Sequence, residues 1–381
     1  MTTLVVTTGS GSLDLYAQKL ADKLDIRKLY TDIYQGHAEL FNISMISSKA
    51  VKAVWRDWSF VRMMNRGNGM VHLPNHHLGR YGLFLNMPYI ITVHDLIRFL
   101  QLNGHGNFIH HPNFRDRAYL SLDYKGIRKA THIIAVSHKT KHDLIEHLGI
   151  PEERISVVYE GIDHQVFRPV ERRLVNCPYL LYVGTEQPRK NLVGLLKAFG
   201  RLKSHGRFKD LKLLKVGSAG GPEAEFRVET LRAIRELGLS DDVIFTGYVP
   251  EEDLPAYYSG AECFILPSFY EGFGFPPLEA MACGCPVIVS NVASLPEVVG
   301  NAAILIDPND TANLADALET VLTNEGMKRE LVARGLEHAS QFTWEKAANE
   351  TLNVYNSVAQ FVGTEHMPAK APARIVPVLE D

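Results

Sequence analysis

Cysteine is scarce in this chain: Cys177, Cys263, Cys283 and Cys285 are the four present among 381 residues. Three of them fall in apolar stretches, so they read as buried thiols of a protein kept in a reducing compartment, not as a disulfide framework. Cys283-Gly284-Cys285 resembles half a metal site, but no second pair completes it, and buried thiols are the preferred reading. No run of about 18 apolar residues exists, which excludes a membrane-spanning helix. Neither sign of charge dominates, and a net charge of -3 gives no general attraction for nucleic acid. Met1 to Thr8 lacks a basic leader and reads as a strand instead of a secretory signal. What remains is 46% hydrophobic and 22% charged, the profile of a soluble globular protein, and long enough for two domains with separate cores.

Strand-like and helix-like runs alternate along that length. Leu4 to Thr8 reads as a strand, Gly9-Ser10-Gly11-Ser12 as a tight turn, and Leu13 to Leu24 as a helix with apolar residues at helical spacing. The same rhythm continues through strands at Met70 to Leu73, Tyr89 to Val93, Thr131 to Val136 and Ile155 to Tyr159. Pro169, Glu171-Arg172-Arg173 and Pro178 interrupt it. It restarts at Tyr179 to Val183 and ends in helices at Thr311 to Leu322, Met327 to Ser340 and Trp344 to Gln360. The expected fold class is α/β, with two Rossmann-like domains and a cleft between them. We expect boundaries at 1–170, 171–343, a last helix at 344–361 crossing back to the first domain, and a Pro- and Ala-rich tail at 362–381 that is disordered.

Residues 47–66 form a separate question. Val51, Val54, Trp55, Trp58 and Val61 make an apolar stripe, beside Lys49, Lys52, Arg56, Arg62 and Arg66. The stripe either packs into the N-terminal core, which is the preferred reading, or lies on an anionic membrane surface. The histidines His105, His110 and His111 lie in a polar stretch, Asn103 to Asn113, without metal-ligand spacing, and read as a loop.

Three stretches carry candidate chemistry. His94-Asp95 follows a buried strand directly, where parallel sheets present residues to a ligand. Val183-Gly184-Thr185-Glu186-Gln187-Pro188-Arg189-Lys190-Asn191 joins a strand to a helix. Gly184 lets the backbone approach a ligand closely, and Arg189 and Lys190 stand before free helix amides, which suits a diphosphate. The third stretch, SFYEGFGFPPLEAMACGCPVIVSN, holds Glu271 in a loop and Glu279 in the expected first turn of a helix opened by Pro276-Pro277. Ionised carboxylates accept hydrogen bonds from vicinal sugar hydroxyls. The amides of Gly272, Phe273 and Gly274 lie between them, and glycine permits close approach.

Together with LPEVVGNAAILIDPND, VHD and YEGIDHQVF, the Glu271-x7-Glu279 stretch resembles retaining glycosyltransferases of family four, which have the GT-B fold. The resemblance covers about residues 1–360. It implies that Arg189 and Lys190 hold the donor diphosphate, that Glu279 binds the nucleotide ribose, and that Glu271 with Gly272, Phe273 and Gly274 binds the donor sugar. It further implies that His94 contacts the sugar near the reacting carbon. Gly9 and Gly11 would sit near a phosphate or the acceptor, although the adjacent glycine pair usual in the family is absent. No cofactor and no metal is expected, and no Asp-x-Asp stands at a strand end. The donor would be GDP-mannose, which the FGFPPLEAMACG version of the motif resembles most, or UDP-glucose or another UDP-hexose. The acceptor would be a glycan or lipid-linked glycan. A nucleotide-sugar epimerase and a non-catalytic sugar-nucleotide binding protein are the competing readings. The expected location is cytoplasmic, with 47–66 as the candidate for contact with the inner face of the membrane.

Overall fold

In the computed structural model, which describes residues 2–9, 11–32, 48–106, 108–109, 113–204, 206–219 and 224–365, the apolar runs assemble into two six-stranded sheets. The first contains β1 (Thr2–Thr7), β2 (Arg27–Thr31), β3 (Met70–Leu73), β4 (Tyr89–Val93), β5 (His132–Ala135) and β6 (Ile155–Val157). The second contains β7 (Tyr179–Val183), β8 (Lys212–Val216), β9 (Val243–Gly247), β10 (Cys263–Leu266), β11 (Val287–Ser290) and β12 (Ile304–Ile306). Every pairing between these strands is parallel. Inner strands such as β4 and β10 are buried along their whole length. That explains their unbroken apolar sequences, because helices cover both faces of a parallel sheet.

The strand order is β2-β1-β3-β4-β5-β6 in one sheet and β12-β11-β10-β7-β8-β9 in the other. Chain direction therefore reverses between β1 and β3 and between β7 and β10. In open α/β sheets the loops at the carboxyl ends of such strands border a crevice. The turn at Gly9 and Gly11 and the segment after β3 flank the first reversal. The Gly184 loop and the Pro267-to-Gly274 loop flank the second.

The final helix, Trp344–Glu365, extends past the expected end at 361. Residues 366–381 of the tail lie outside the described residues, as do His110 and His111. Trp344, Ala347, Ala348, Val354, Tyr355 and Val358 share a core with Leu4, Val6, Tyr16 and Leu20 of the first sheet's layer. A buried polar chain fixes this docking. His72 Nδ1 lies 2.6 Å from the Tyr355 hydroxyl, His72 Nε2 lies 2.8 Å from Thr92 Oγ1, and Tyr16 reaches the same threonine at 3.2 Å. Burial pushes the His72 imidazole down to about 3, so it joins this chain as a neutral ring.

Two expectations are corrected here. The two tryptophans of the stripe do not pack into the core: in the helix Ser48–Asn65 Phe60 and Met64 are buried and Val61 packs partly buried against the same core, while Trp55 is 67% and Trp58 is 54% exposed. The side chains of Val51, Val54, Lys49 and Lys52 lie outside the described residues. Glu279 is the fifth residue of the helix Phe275–Ala282, not part of its first turn. It therefore sits beyond the range in which the helix terminus attracts an anion strongly. β2 escaped the sequence reading because it is an edge strand, half-exposed and with charged residues at its start.

Candidate active site

The cleft between the two sheets holds a cavity of about 380 Å³. Its lining gathers His94, Arg189, Lys190, Glu271, Gly272, Phe273, Gly274 and Glu279. These residues lie up to 185 positions apart in sequence, as His94 and Glu279 show, yet they line one cavity. Gly184, Gly9 and Gly11 do not line it. Gly184 instead packs its carbonyl against Gly217, where an added Cβ would lie 2.8 Å away. Gly11 caps the helix Ser12–Lys23, its amide donating to Asp14 Oδ2 at 3.2 Å. A larger hollow of about 470 Å³ is lined by Lys19, Asp163 and Trp344 among others. Its Lys19 and Asp163 pair with each other at 2.6 Å, so those charges are already compensated.

On the second sheet's side, a short 3-10 turn at Pro188–Lys190 aims two cations at one carboxylate. Arg189 Nη1 donates to Glu271 Oε2 at 2.8 Å, and Lys190 Nζ lies 2.7 Å from Oε1. Ser268 Oγ donates to Oε1 at 2.7 Å. Burial alone would raise the Glu271 carboxyl, but these cations and hydrogen bonds prevail and hold it down at about 2. The site thus carries an anion held between two fixed cations. An incoming diphosphate would compete with Glu271 for both, and the carboxylate so released could turn to hydroxyl donors.

Glu279 has the opposite character. Burial pushes its carboxyl up to about 7, against the Tyr258 hydroxyl that donates to Oε2 at 2.7 Å. Between the two glutamates, Gly274 starts the helix at φ 124°, a conformation that favours glycine. Gly272 has a steric reason: a Cβ there would lie 2.0 Å from the His94 carbonyl oxygen. The Glu271-to-Gly274 loop therefore touches the first sheet's residues directly.

His94 enters the cavity from the end of β4. Its Nδ1 lies 2.8 Å from Glu160 Oε1 and its Nε2 lies 2.9 Å from the Pro74 carbonyl. The Tyr16 ring packs edge-on against it at 4.8 Å. Burial works against a charged imidazole here, but the bond and charge of Glu160 outweigh it and the net direction is upward.

More contacts bridge the cleft. Ser137 Oγ donates to the Gly272 carbonyl at 2.7 Å, and the Tyr270 hydroxyl donates to Asp143 Oδ2 at 2.5 Å. Glu297 accepts from the amides of His138 and Lys139, both at 2.9 Å, and so caps the helix His138–Leu148 from the other domain. Ser137 also caps that helix by accepting from the Thr140 amide. The sequence reading missed Glu160, Tyr258 and Glu297 as site residues. Glu160 was within reach, since it closes the apolar sequence run Ile155 to Tyr159 as His94 closes Tyr89 to Val93. Tyr258 and Glu297 lie inside helices and carry no comparable signal.

Comparison with known proteins agrees with this architecture. Residues 28–166 match the family described as Glycosyltransferase Family 4, and residues 164–338 match Glycosyl transferases group 1. The chain is 37% identical over 256 residues to O-antigen chain mannosyltransferase B of Escherichia coli, covering 65% of this chain and 66% of that protein. It is 30% identical over 285 residues to the serotype-specific mannosyltransferase WbdA of Escherichia coli, covering 71% of this chain but 34% of the relative's length. In three dimensions it resembles Anabaena HepE in complex with UDP and glucose, with a TM-score of 0.75 and 18% identity over 93% of this chain and 99% of that one. The last likeness concerns the fold, which is the expected GT-B arrangement of two parallel sheets about a cleft.

Proposed function

This chain belongs to the group 1, family four glycosyltransferases, and from that premise we propose that it transfers a hexose from a nucleotide sugar to a glycan or lipid-linked glycan, with retention. The observation that carries the proposal is the convergence of Arg189, Lys190, Glu271, Glu279 and His94 on one cleft between two sheets. Four of them then have assigned tasks. Arg189 and Lys190 leave Glu271 for the donor diphosphate and stabilise it as it departs. Glu271, with the amides of Gly272, Phe273 and Gly274, takes the sugar hydroxyls. Glu279 takes the ribose hydroxyls.

In the transfer, the bond between the anomeric carbon and the phosphate oxygen breaks. The acceptor oxygen bonds to the same carbon from the same face, and its proton passes to the leaving phosphate. No resident cofactor or metal enters these steps. The protein contributes position and charge.

Mannose from GDP-mannose is the favoured donor, supported by relatives named as mannosyltransferases at 37% and 30% identity. UDP-glucose is the second reading, favoured by the UDP and glucose complex of HepE. A thermal-shift panel tests both, because a ligand that binds only the folded protein raises its melting temperature. A shift with GDP-mannose supports the first reading, a shift with UDP-glucose alone favours the second, and no shift with any nucleotide sugar overturns the proposal. Product analysis without acceptor would expose an epimerase, and tight binding without turnover a non-catalytic binder.

Among the described residues no helix is long and apolar enough to cross a membrane. The outward face of Ser48–Asn65 supports a peripheral contact instead. Trp55 and Trp58 are exposed, Arg62 lies over the Trp58 ring at 5.0 Å, and Phe84, 65% exposed, is tied to the helix by its carbonyl, which accepts from Asn65 Nδ2 at 2.9 Å. Tryptophan beside arginine suits the boundary of an anionic bilayer, where a lipid-linked acceptor would be found.

A further inference from the structure

The proposed roles leave one buried pair unused. Glu160 is 2% exposed and follows β6 at the carboxyl end of the first sheet. It directly precedes the crossover between the domains. There the Ile162 amide donates to the Phe342 carbonyl at 3.2 Å, and a Cβ on Gly161 would lie 2.3 Å from the Trp344 nitrogen. The backbone that carries Glu160 is thus tightly constrained, and its carboxylate points at His94.

Both His94 nitrogens face oxygens: Nδ1 faces Glu160 Oε1 at 2.8 Å and Nε2 faces the Pro74 carbonyl at 2.9 Å. A carbonyl only accepts, and so does an ionised carboxylate. A neutral imidazole has one N–H and satisfies one such partner, whereas an imidazolium satisfies both. The alternative puts a proton on Glu160, but imidazole is ordinarily the stronger base by about 2 pH units. Of the other groups near the ring, the Asp95 carboxylate, its chain neighbour, favours a cation, while the Tyr16 ring packs edge-on and His76 Nδ1 accepts from the His94 backbone amide at 3.3 Å. His72 lies nearby as a neutral ring, and Arg189 and Glu271 stand across the cavity.

We infer that Glu160 is a positioning residue that holds His94 as an imidazolium with both N–H groups consumed. His94 then gives the cleft a fixed positive charge, and its side chain neither hydrogen-bonds the sugar nor moves a proton. The consequence lies in charge balance. Leaving Glu279 aside, the cavity lining presents Asp95, Glu160 and Glu271 against Arg189 and Lys190. With a neutral His94 the carboxylates outnumber the cations, which opposes an anionic donor. With a charged His94 the two are equal. This consequence rests on the nucleotide-sugar reading, but the charge state of His94 does not.

The test is nitrogen NMR of the full chain labelled with 15N-histidine, with the His94 signals assigned by their loss in His94→Gln. Both His94 nitrogens should show imidazolium shifts from pH 6 to pH 8. In Glu160→Gln they should show a neutral tautomer at pH 7.5. His94→Gln, which removes the cation and keeps the Glu160 carboxylate, should bind GDP-mannose or UDP-glucose about tenfold more weakly, as loss of one nearby charge implies. Glu160→Asp should restore part of the imidazolium signal. A neutral His94 in the unaltered protein at pH 7.5 overturns the inference without any variant, so a Glu160→Gln protein that fails to fold does not protect it. An unchanged His94 spectrum in folded Glu160→Gln also overturns it. Failure of both donors to bind, with His94 still an imidazolium, would strike the functional reading and leave the positioning intact.

Discussion

The Tyr270 hydroxyl, on the loop after β10 of the second sheet, lies 2.5 Å from the buried carboxylate of Asp143 in the first domain's helix His138–Leu148. Lys139 holds the other oxygen of the same carboxylate, also at 2.5 Å, and sits over the Tyr270 ring at 5.7 Å. The next residue after Tyr270 is Glu271, which pairs with Arg189 and Lys190. The contact that bridges the cleft and the placement of the Glu271 carboxylate are therefore linked through adjacent residues.

Tyr270→Phe tests that link. It removes one bridge and leaves Asp143 Oδ2 buried without it, a loss of about 1–3 kcal/mol. The melting temperature should fall by several degrees, and kcat/KM should drop about tenfold or more as closure weakens. Small-angle scattering should report a wider domain separation. Unchanged kinetics and scattering would show that Tyr270 does not hold the cleft shut.

Arg189→Ala and Lys190→Ala should each lower transfer by about 10²–10³, the usual scale for one transition-state charge contact. Both also leave Glu271 with a single cation, so part of the cost falls on stability. A cycle with Glu271→Gln separates the two effects. Because the three groups form one cluster, coupling in stability of about 0.5–3 kcal/mol is expected. Near-normal turnover of Arg189→Ala/Lys190→Ala, with the fold intact by circular dichroism, would exclude the diphosphate role.

The site was legible in sequence where function and backbone geometry impose the same residues. Glu271, Gly272 and Gly274 stand out because a loop between a buried strand and a helix must there approach another chain segment closely. Arg189 and Lys190 stand out because a cation pair before a helix is an uncommon placement. The fold was legible because inner parallel strands are apolar throughout, as Cys263–Leu266 shows. What sequence could not supply is which partner each group meets. Glu271 and Glu279 are the same residue type, yet one is held at about 2 by Arg189 and Lys190 while burial pushes the other to about 7. The Trp face was misjudged for a similar reason, since helical spacing identifies a stripe but not the side that the rest of the domain covers.

Those two carboxyls predict opposite pH effects. In its proposed role Glu279 would have to ionise to accept from two ribose hydroxyls, and its raised pKa of about 7 leaves it largely protonated at pH 6. Donor affinity should therefore rise up to tenfold from pH 6 to pH 8 and level off above that, with proton release on binding near pH 7. Calorimetry in two buffers of different ionisation enthalpy measures the release, and Glu279→Gln should abolish it. For folding, the raised Glu279 pKa costs stability as pH climbs from 4.5 towards 7, since the unfolded chain ionises first. Glu271 contributes stability that is present above 4.5 and is lost as pH falls towards 2.

Because the roles proposed for Arg189, Lys190 and His94 provide the cleft's positive charge without an ion, stripping divalent metal with a chelator should leave the transfer rate unchanged. A collapse of the rate that added metal restores would show that a cation assists the leaving diphosphate.

The last prediction concerns Trp55 and Trp58. An exposed tryptophan on a folded surface gains little in water, but at a bilayer boundary its ring is buried while Arg62 remains beside anionic headgroups. The protein should co-sediment with vesicles containing an anionic phospholipid, and far less with vesicles of phosphatidylcholine alone. Raised salt should weaken this binding, because part of the attraction is screened charge. Trp55→Ala/Trp58→Ala should lose most of the binding and keep the melting temperature within a few degrees, since both rings stand outside the core formed by Phe60 and Met64. A soluble donor-binding assay should be unaffected, because neither tryptophan lines the cleft. Equal sedimentation of the double variant would remove this face from the membrane contact, and a large loss of stability would mean that the rings are covered in solution.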